Sequence, residues 1–452
     1  LKEQKMQAII LAGGKGTRIA SVRSDVPKPM IEVCGKPILQ YQIENLCACG
    51  ITEITIGIGH LGDAIKNFFG DGKKFGVSIK YFSEEKPLGT AGAIFRMLDE
   101  NLLEENFLLL CGDIIFDVDF SRILKFHLEK NAWATLVSHP NSHPYDSSIL
   151  VTETLPPKEK GGLPIRTGRV VEWLSKEDER GFCGNLVNAG IQVISREMIS
   201  AVKKMRAENP SFVRHPENPE KIDLDRDVLK TAIPSGKIFA YQTSEYIKDM
   251  GTPDRYREVG ADIAFGKVAA RNLARKQKAI FFDRDGTLTK ESGFVTRPEM
   301  LELSEGAGEA VRLVNGSGFL AILVTNQPAI ARGDLDFEGL SKINGKLETL
   351  LGKEGAFLDA IYFCPHHTDK GFPGERSEYK FDCECRKPKA GMLFRAAEDF
   401  NIDLSKSFMI GDSARDEGCA KNGGLKKSIL VGGGKSVLDA VKEILSLGEN
   451  GN

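Results

Sequence analysis

Asp283-Arg284-Asp285-Gly286-Thr287-Leu288 follows the apolar run Ile280-Phe281-Phe282 directly. A carboxylate at a strand end can attack phosphorus, and a second carboxylate two residues later can protonate the leaving oxygen. Cys364-Pro365-His366 and Cys383-Glu384-Cys385 supply three thiols and an imidazole, the soft donor set that tetrahedral Zn²⁺ prefers. Four protein ligands leave no open position, so a zinc held there is structural; buried free thiols are the bland alternative, and His367 is the runner-up ligand. Near the other end, Leu11-Ala12-Gly13-Gly14-Lys15-Gly16-Thr17-Arg18 closes another apolar run, with Pro27-Lys28-Pro29 soon after. Glycines let backbone N–H groups approach a polyphosphate, and Arg18 and Lys28 add cations where charge builds during transfer at phosphorus. No Gly-Lys-Ser/Thr closes this loop, so it is not a P-loop, and a glycine run by itself is more often a turn.

These groups need strand ends to hold them. Ala8–Ala12, Ile54–Ile58, Phe107–Leu110 and Gly190–Ile194 read as strands of one series. Ala279–Phe282, Phe319–Val324, Ala360–Phe363, Phe408–Ile410 and Ser428–Val431 read as a second. Helix-period stretches alternate with them, so the pattern predicts an α/β class with two doubly wound, Rossmann-like domains and two separate parallel sheets. Between the series, Thr252-Pro253 caps a helix carrying Tyr256, Val259 and Ile263. Its continuation from Lys267 to Lys278 holds basic residues and no acidic one, and reads as a solvated linker face. The expected division is 6–260, a basic helical linker 261–278, and 279–452.

The chain of 452 residues can bury two or three cores. With 61 basic against 63 acidic residues, global charge argues for neither nucleic-acid nor membrane binding. No apolar run reaches the length of a membrane span, and no signal peptide is apparent. Leu1 is not a usual start, so residues 1–5 read as an addition before Met6. Nine cysteines without secretion signals fit a reducing cytoplasm. Cys34, Cys47, Cys49, Cys111, Cys183 and Cys419 read as packing, and His127, His139 and His143 as structural.

The glycine string resembles the signature of the sugar-phosphate nucleotidylyltransferases, and the likeness continues through Pro87-Leu88-Gly89-Thr90-Ala91-Gly92-Ala93, Gly112-Asp113, Asn188-Ala189-Gly190 and Asp249-Met250-Gly251-Thr252-Pro253. The resemblance implies a mixed sheet and attack of a sugar 1-phosphate on the α-phosphorus of a nucleoside triphosphate. Positioning and charge neutralisation then supply the rate. Asp113 and Asp249 are expected to hold one Mg²⁺. Nucleotide contacts fall to Leu11, Ala12, Gly13, Gly14, Gly16, Thr17, Glu84, Gly89 and Thr90, and sugar-side contacts to Asn188 and Lys176. Ser175-Lys176-Glu177 and Tyr145-Asp146-Ser147 depart from the family's usual segments on that side. Glu84 stands where uridine- and thymidine-handling relatives carry Gln. A carboxylate accepts the adjacent donors of guanine and repels the carbonyls of uracil, so GTP is the expected nucleotide. The alternative is a solvated Glu84.

Asp283-Arg284-Asp285, Thr325, Lys387 and Gly411-Asp412, in that order, resemble the haloacid dehalogenase superfamily. The resemblance makes Asp283 the nucleophile, Asp285 the general acid/base, and Thr325 and Lys387 the phosphoryl binders. Mg²⁺ falls to Asp283, Asp285 (through its carbonyl) and Asp412, with Asp416 as support. Short gaps between these motifs leave no room for a sizeable cap. The cysteine loop beside Arg386-Lys387-Pro388 resembles the capless subfamily of heptose-bisphosphate and histidinol-phosphate phosphatases, with Asn326, Arg332 and Arg386 as substrate-side candidates.

Together the two resemblances imply consecutive steps. D-glycero-D-manno-heptose 1,7-bisphosphate loses its 7-phosphate, and the 1-phosphate then receives GMP from GTP. The expected partners are the sugar bisphosphate, the sugar 1-phosphate and GTP, with a possible homo-oligomer, no nucleic acid and no membrane. Alternatives keep both activities on a mannose-type sugar or with CTP or UTP, or pair a histidinol-phosphate-type phosphatase with a nucleotide-sugar-sensing amino-terminal half.

Overall fold

The computed structural model describes residues 6–13, 26–59, 61–84, 86, 88–157, 162–209 and 220–449. In the first part, β1 (Gln7–Leu11), β2 (Glu53–Ile58), β3 (Ser78–Ser83) and β4 (Asn106–Cys111) are mutually parallel. The apolar run of β1 is buried on both faces: Ala8 and Ile10 pack into one core, Ile9 into another on the opposite side. That is why the strand reads as a continuous apolar run rather than an alternating one.

A short hairpin partner, β5 (Ile114–Asp117), leaves the main sheet. The sheet then continues through β6 (Ala134–His139), β7 (Ile149–Leu155), β8 (Ile165–Leu174), β9 (Val187–Ser195) and β10 (Ile238–Gln242). The order is β3-β2-β1-β4-β9-β6-β10-β8-β7. Strand β9 runs antiparallel to both β4 and β6. The amino-terminal sheet is therefore mixed, which corrects the wholly parallel sheet that the apolar runs suggest. Strand type reads off periodicity, but direction depends on which neighbour a long connection delivers. β11 (Tyr246–Asp249) pairs antiparallel with β5 and feeds α1 (Pro253–Ala264), whose first turn is capped by Thr252.

The linker differs from a continuous solvated helix. Gly266, in a left-handed conformation, separates α1 from the single turn α2 (Lys267–Ala270). Leu273 is then buried, and Arg271 is buried with its guanidinium 3.8 Å from Asp359. The basic stretch is partly an interdomain contact because its alternate residues face protein.

The second sheet is all parallel. It comprises β12 (Lys278–Phe282), β13 (Phe319–Asn326), β14 (Ala360–Cys364), β15 (Phe408–Gly411) and β16 (Lys427–Leu430), in the order β14-β13-β12-β15-β16. Ile280 and Phe282 face one core, Ala279 and Phe281 the other. Helix α3 (Ala307–Gly316) precedes β13, and α4 (Phe337–Lys353) precedes β14. The two parts touch extensively. Tyr145 Oη donates to Thr349 O at 2.6 Å, Arg122 to Asp399 O at 2.8 Å, and Gln242 Nε2 to Asp359 O at 2.6 Å. Among the described residues, no helix is long and apolar enough to cross a membrane.

Candidate functional sites

Asp283 continues from the end of β12, Thr325 lies at the end of β13, and Asp412 follows β15, so one edge of the parallel sheet gathers three motifs. Lys387 Nζ joins them from a loop, 2.7 Å from Asp283 Oδ2 and 2.6 Å from Asp416 Oδ1. Burial pushes the Lys387 ammonium down, but the two carboxylates outweigh it and hold its pKa above the usual lysine range. Asp416 is fully buried and locked by Ser413, whose Oγ donates to Asp416 Oδ2 at 2.8 Å. Gly286 has φ +77°, and a Cβ there would lie 2.1 Å from Asp412 Oδ2, so only glycine lets the Asp283 loop meet that carboxylate.

Oxygens of Asp283, Asp412 and Asp416 lie within 4.8 Å of one another, an all-oxygen set that suits Mg²⁺. The Asp285 carboxylate is engaged elsewhere. It accepts from Arg284 Nε and Nη2 at 3.0 Å each and from Gln327 Nε2 at 3.1 Å. Arg284 is fully buried and also donates to Gln327 Oε1 at 2.9 Å. Arg284 and Gln327 lie within motif segments, but which carboxylate they hold depends on contacts between β12 and β13 that no spacing encodes.

The substrate-side candidates separate. Asn326 spends both ends of its amide on the backbone of Lys387, accepting from its N at 3.0 Å and donating to its O at 3.1 Å. Arg332 is held between two rings, its guanidinium carbon 4.3 Å from the centroid of Phe294 and 4.1 Å from that of Phe372. Arg386 donates to His366 O at 3.0 Å, and burial pulls its pKa down.

Cys364, His366, Cys383 and Cys385 are all buried and converge. His366 Nδ1 lies 3.5 Å from Cys364 Sγ and 3.3 Å from Cys385 Sγ, and the sulfur–sulfur separations are 3.3–3.5 Å. Three unbonded thiols and a ring nitrogen around one point fit a tetrahedral zinc at about 2.0–2.3 Å from each donor. His367 points away, toward Asp369 at 3.6 Å. Two of the six cysteines read as packing, Cys34 and Cys49, are exposed instead, because each sits at a turn or helix end.

In the amino-terminal part, Leu11 ends β1 and Ala12 follows it, and Gly112 N donates to Leu11 O at 2.9 Å, placing Asp113 beside the end of that strand. Gly14, Gly16, Thr17 and Arg18 lie outside the described residues. Lys28 Nζ is 2.5 Å from Asp113 Oδ2. Pairing of β5 with β11 sets Asp249 opposite Ile114, and Met250 N donates to Asp113 O at 2.9 Å, so the two aspartates are neighbours. Asp249 is clasped by Arg255 Nη1, 2.6 Å from Oδ2 and 2.8 Å from Oδ1. Burial raises the Asp249 carboxyl, but Arg255 and the Gly251 N–H outweigh that and hold it below the ordinary range. His143 Nε2 contacts Arg255 Nη2 at 2.7 Å, so His143 belongs to this site rather than only to the scaffold.

Asn188 Oδ1 accepts from Gly190 N at 3.3 Å, and its Nδ2 faces Asp225 Oδ1 at 3.5 Å. Burial pushes the Asp225 carboxyl up to about 6, a group the motifs do not announce. Glu84 is half-buried, accepts from Leu88 N at 3.3 Å, and is raised by burial. Gly89 and Thr90 pack on the chain near Ile222; Thr90 Oγ1 accepts from Leu224 N at 2.7 Å. Lys176 sits exposed in a turn. A cavity of about 380 Å³ opens from Asn188 and Asp249.

Comparison with known proteins follows the same division. Residues 7–264 match the nucleotidyl transferase family, and residues 384–446 the HAD-hydrolase-like family. D-glycero-beta-D-manno-heptose-1,7-bisphosphate 7-phosphatase of Pasteurella multocida is 40% identical over 167 residues, 37% of this chain and 88% of that protein. Mannose-1-phosphate guanylyltransferase of Mycobacterium tuberculosis is 28% identical over 265 residues, 58% of this chain and 66% of that protein. The structure of HddC from Yersinia pseudotuberculosis superposes with a TM-score of 0.44 at 22% identity, covering 57% of this chain and 99% of that one. The chain is thus an enzyme that belongs to the nucleotidyl transferase family through residues 7–264 and, in its carboxy-terminal part, to the HAD-like phosphatase family of the Pasteurella protein.

Proposed function

We propose that the chain carries out two consecutive steps of nucleotide-activated heptose synthesis, with 6–260 as transferase, 261–278 as linker and 279–452 as phosphatase. The observation that carries this reading is the likeness over 88% of a heptose-bisphosphate phosphatase, joined in one chain to a nucleotidyl transferase. In the phosphatase, a carboxylate oxygen of Asp283 attacks the 7-phosphate, the ester C–O oxygen leaves, and Asp285 protonates it. Asp285 then takes a proton from the water that cleaves the aspartyl-phosphate. Lys387 and Thr325 hold the phosphoryl oxygens, with Arg332 and Arg386 on the substrate side. Asn326 serves by fixing the Lys387 backbone. Asp283 and Asp412, with Asp416 and the Asp285 carbonyl, would hold Mg²⁺, which supplies charge neutralisation at phosphorus. A structural zinc on Cys364, His366, Cys383 and Cys385 would fix the loop leading to Lys387.

In the transferase, an oxygen of the sugar 1-phosphate attacks the α-phosphorus of GTP and diphosphate leaves. Lys28 and Arg18 balance the building charge, and Asp113 and Asp249 would hold a second Mg²⁺. The Glu84 carboxylate accepts the guanine N–H donors beside Leu88, and Lys176 and Asn188 face the sugar. The mannose-1-phosphate guanylyltransferase relative agrees on the base and favours a second reading with a mannose-type acceptor. A cytoplasmic location suits soluble phosphorylated substrates and free cysteines.

The test incubates the protein with heptose 1,7-bisphosphate and GTP while following phosphate and diphosphate separately. Phosphate first and GTP-dependent diphosphate second is the expected result. Equal turnover with UTP would remove the guanine assignment, and phosphate release from histidinol phosphate alone would remove the sugar.

A further inference from the structure

Helix α4 belongs to the phosphatase part, yet one of its faces meets the transferase. Gly345, Thr349 and Gly352 follow one another at spacings of four and three, so they share that face. A Cβ on Gly352 would lie 3.2 Å from Pro144 Cγ, and one on Gly345 would lie 3.2 Å from Cys183 C and Phe182 O. Glycine weakens a helix interior, and here it lets two segments of the other domain come close. Tyr145 Oη donates to Thr349 O at 2.6 Å, and Thr349 Oγ1 accepts from Cys183 N at 3.4 Å.

One side chain ties these segments to each other. Arg180 Nε donates to Ser175 O at 3.0 Å and Nη1 to Pro144 O at 3.1 Å, while Nη2 donates to Ser147 O at 2.5 Å and Leu174 O at 3.3 Å. A guanidinium presents its N–H donors in a rigid fork, so four backbone carbonyls are held at once in fixed relation. They come from the stretches that carry Tyr145-Asp146-Ser147 and run into Ser175-Lys176-Glu177, the two that depart from the family's usual segments on the sugar side. Ser147 lines the same cavity as Asn188 and Asp249. The nucleotide-side residues Glu84, Gly89 and Thr90 rest on Leu88, Ile222 and Leu224 instead.

We propose that helix α4 of the phosphatase domain supports the sugar side of the transferase, and that Arg180 is the positioning residue that passes this support to both segments. Affinity for the sugar 1-phosphate is then set across the domain boundary, and affinity for GTP within the transferase. This rests on the transferase reading above, which puts the sugar beside Lys176 and Asn188, and adds the partner that shapes that side. On α4, Asn344 accepts from Arg284 of the phosphatase site at 3.3 Å. Gly352 lies eight residues further on, about 12 Å along the helix, so a change there spares the phosphate chemistry.

The full chain and its Gly352→Leu, Gly352→Ala and Arg180→Lys variants are assayed for diphosphate release from GTP with heptose 1-phosphate, and for phosphate release from heptose 1,7-bisphosphate. Gly352→Leu drives a side chain into Pro144 and should raise the KM for the sugar 1-phosphate at least about tenfold, with the KM for GTP and the phosphatase rate held within about twofold. Gly352→Ala, which adds one methyl, should give a smaller rise of the same kind. Arg180→Lys keeps the charge, but a single ammonium cannot span four carbonyls, and a severalfold rise in the sugar KM alone is expected. A sugar KM unmoved in Gly352→Leu and Arg180→Lys overturns the proposal, as does a GTP KM that rises by the same factor. If Gly352→Leu does not fold, Gly352→Ala and Arg180→Lys decide the matter. If the parent chain ignores heptose 1-phosphate but accepts another sugar 1-phosphate, the heptose assignment falls, and the same comparison of KM values with that sugar still decides this inference.

Discussion

The Lys387 ammonium lies 2.7 Å from the Asp283 carboxylate, with the lysine side chain 2% exposed. Removing it leaves Asp283 and the fully buried Asp416 facing each other without a cation. Breaking such a buried pair from one side costs about 3–5 kcal/mol. Lys387→Met is expected to lower the melting temperature and to cut phosphate release by at least ~10²-fold. Thermal melting and a phosphate assay check both, and an intact rate would remove Lys387 from the chemistry.

The cysteine–histidine cluster makes a metal prediction. The purified chain should carry one tightly held zinc, and Cys383→Ser should lose it. Because a zinc there would organise the loop running to Arg386 and Lys387, its loss should lower the phosphatase melting transition by on the order of 5–10 °C. Metal analysis beside a melting curve decides this, and a zinc-free protein with an unchanged transition would contradict it.

Asp113 separates an enzyme from a sensor. With Lys28 as its 2.5 Å partner, Asp113→Asn removes a carboxylate from the transferase pair while leaving the fold's packing alone. Diphosphate release should fall by at least ~10²-fold, with phosphatase turnover unaffected. Diphosphate release unchanged by the substitution would remove Asp113 from the chemistry, and none from the parent chain would favour a nucleotide-sugar-sensing role for the amino-terminal half.

A buried carboxyl at the junction should make stability depend on pH. Glu245 accepts from Asp119 N at 2.8 Å, Leu273 N at 2.9 Å and Thr243 Oγ1 at 3.0 Å, and burial pushes it up to about 7 from 4.5. The folded chain thus keeps a proton that the unfolded chain releases. The stability contributed is full below about pH 4.5 and is lost as pH rises through about 7. Glu245→Gln keeps the shape without the titration. Its melting temperature relative to the parent should climb between pH 5 and pH 8; a constant difference would show that Glu245 is not linked to folding.

What could be read in advance, and what could not, follows from distance along the chain. Ile280-Phe281-Phe282 running into Asp283 is a local pattern, since a buried strand must be apolar and its end must turn. Cys364-x-His366 and Cys383-x-Cys385 are likewise close pairs with their own chemistry. Arg255 clasping Asp249 while touching His143 depends on the seating of α1 against the segment after β6, which no spacing encodes. The same holds for Asn326, whose amide looks free in sequence and is consumed by Lys387 in space. Arg271 read as a solvated linker charge because its partner Asp359 belongs to another element.

The phosphatase carboxylates open on the edge of their sheet that faces away from Arg312 and Asp359. On the two-step reading, a product released there departs on the side of the sheet opposite Asp359 and is expected to mix with bulk water before it meets the transferase. Labelled sugar monophosphate added from outside should therefore dilute freely into the final nucleotide sugar. Joining the two catalysts fixes their ratio at one to one in every cell, and the intermediate stays common property, open to any other enzyme that competes for it.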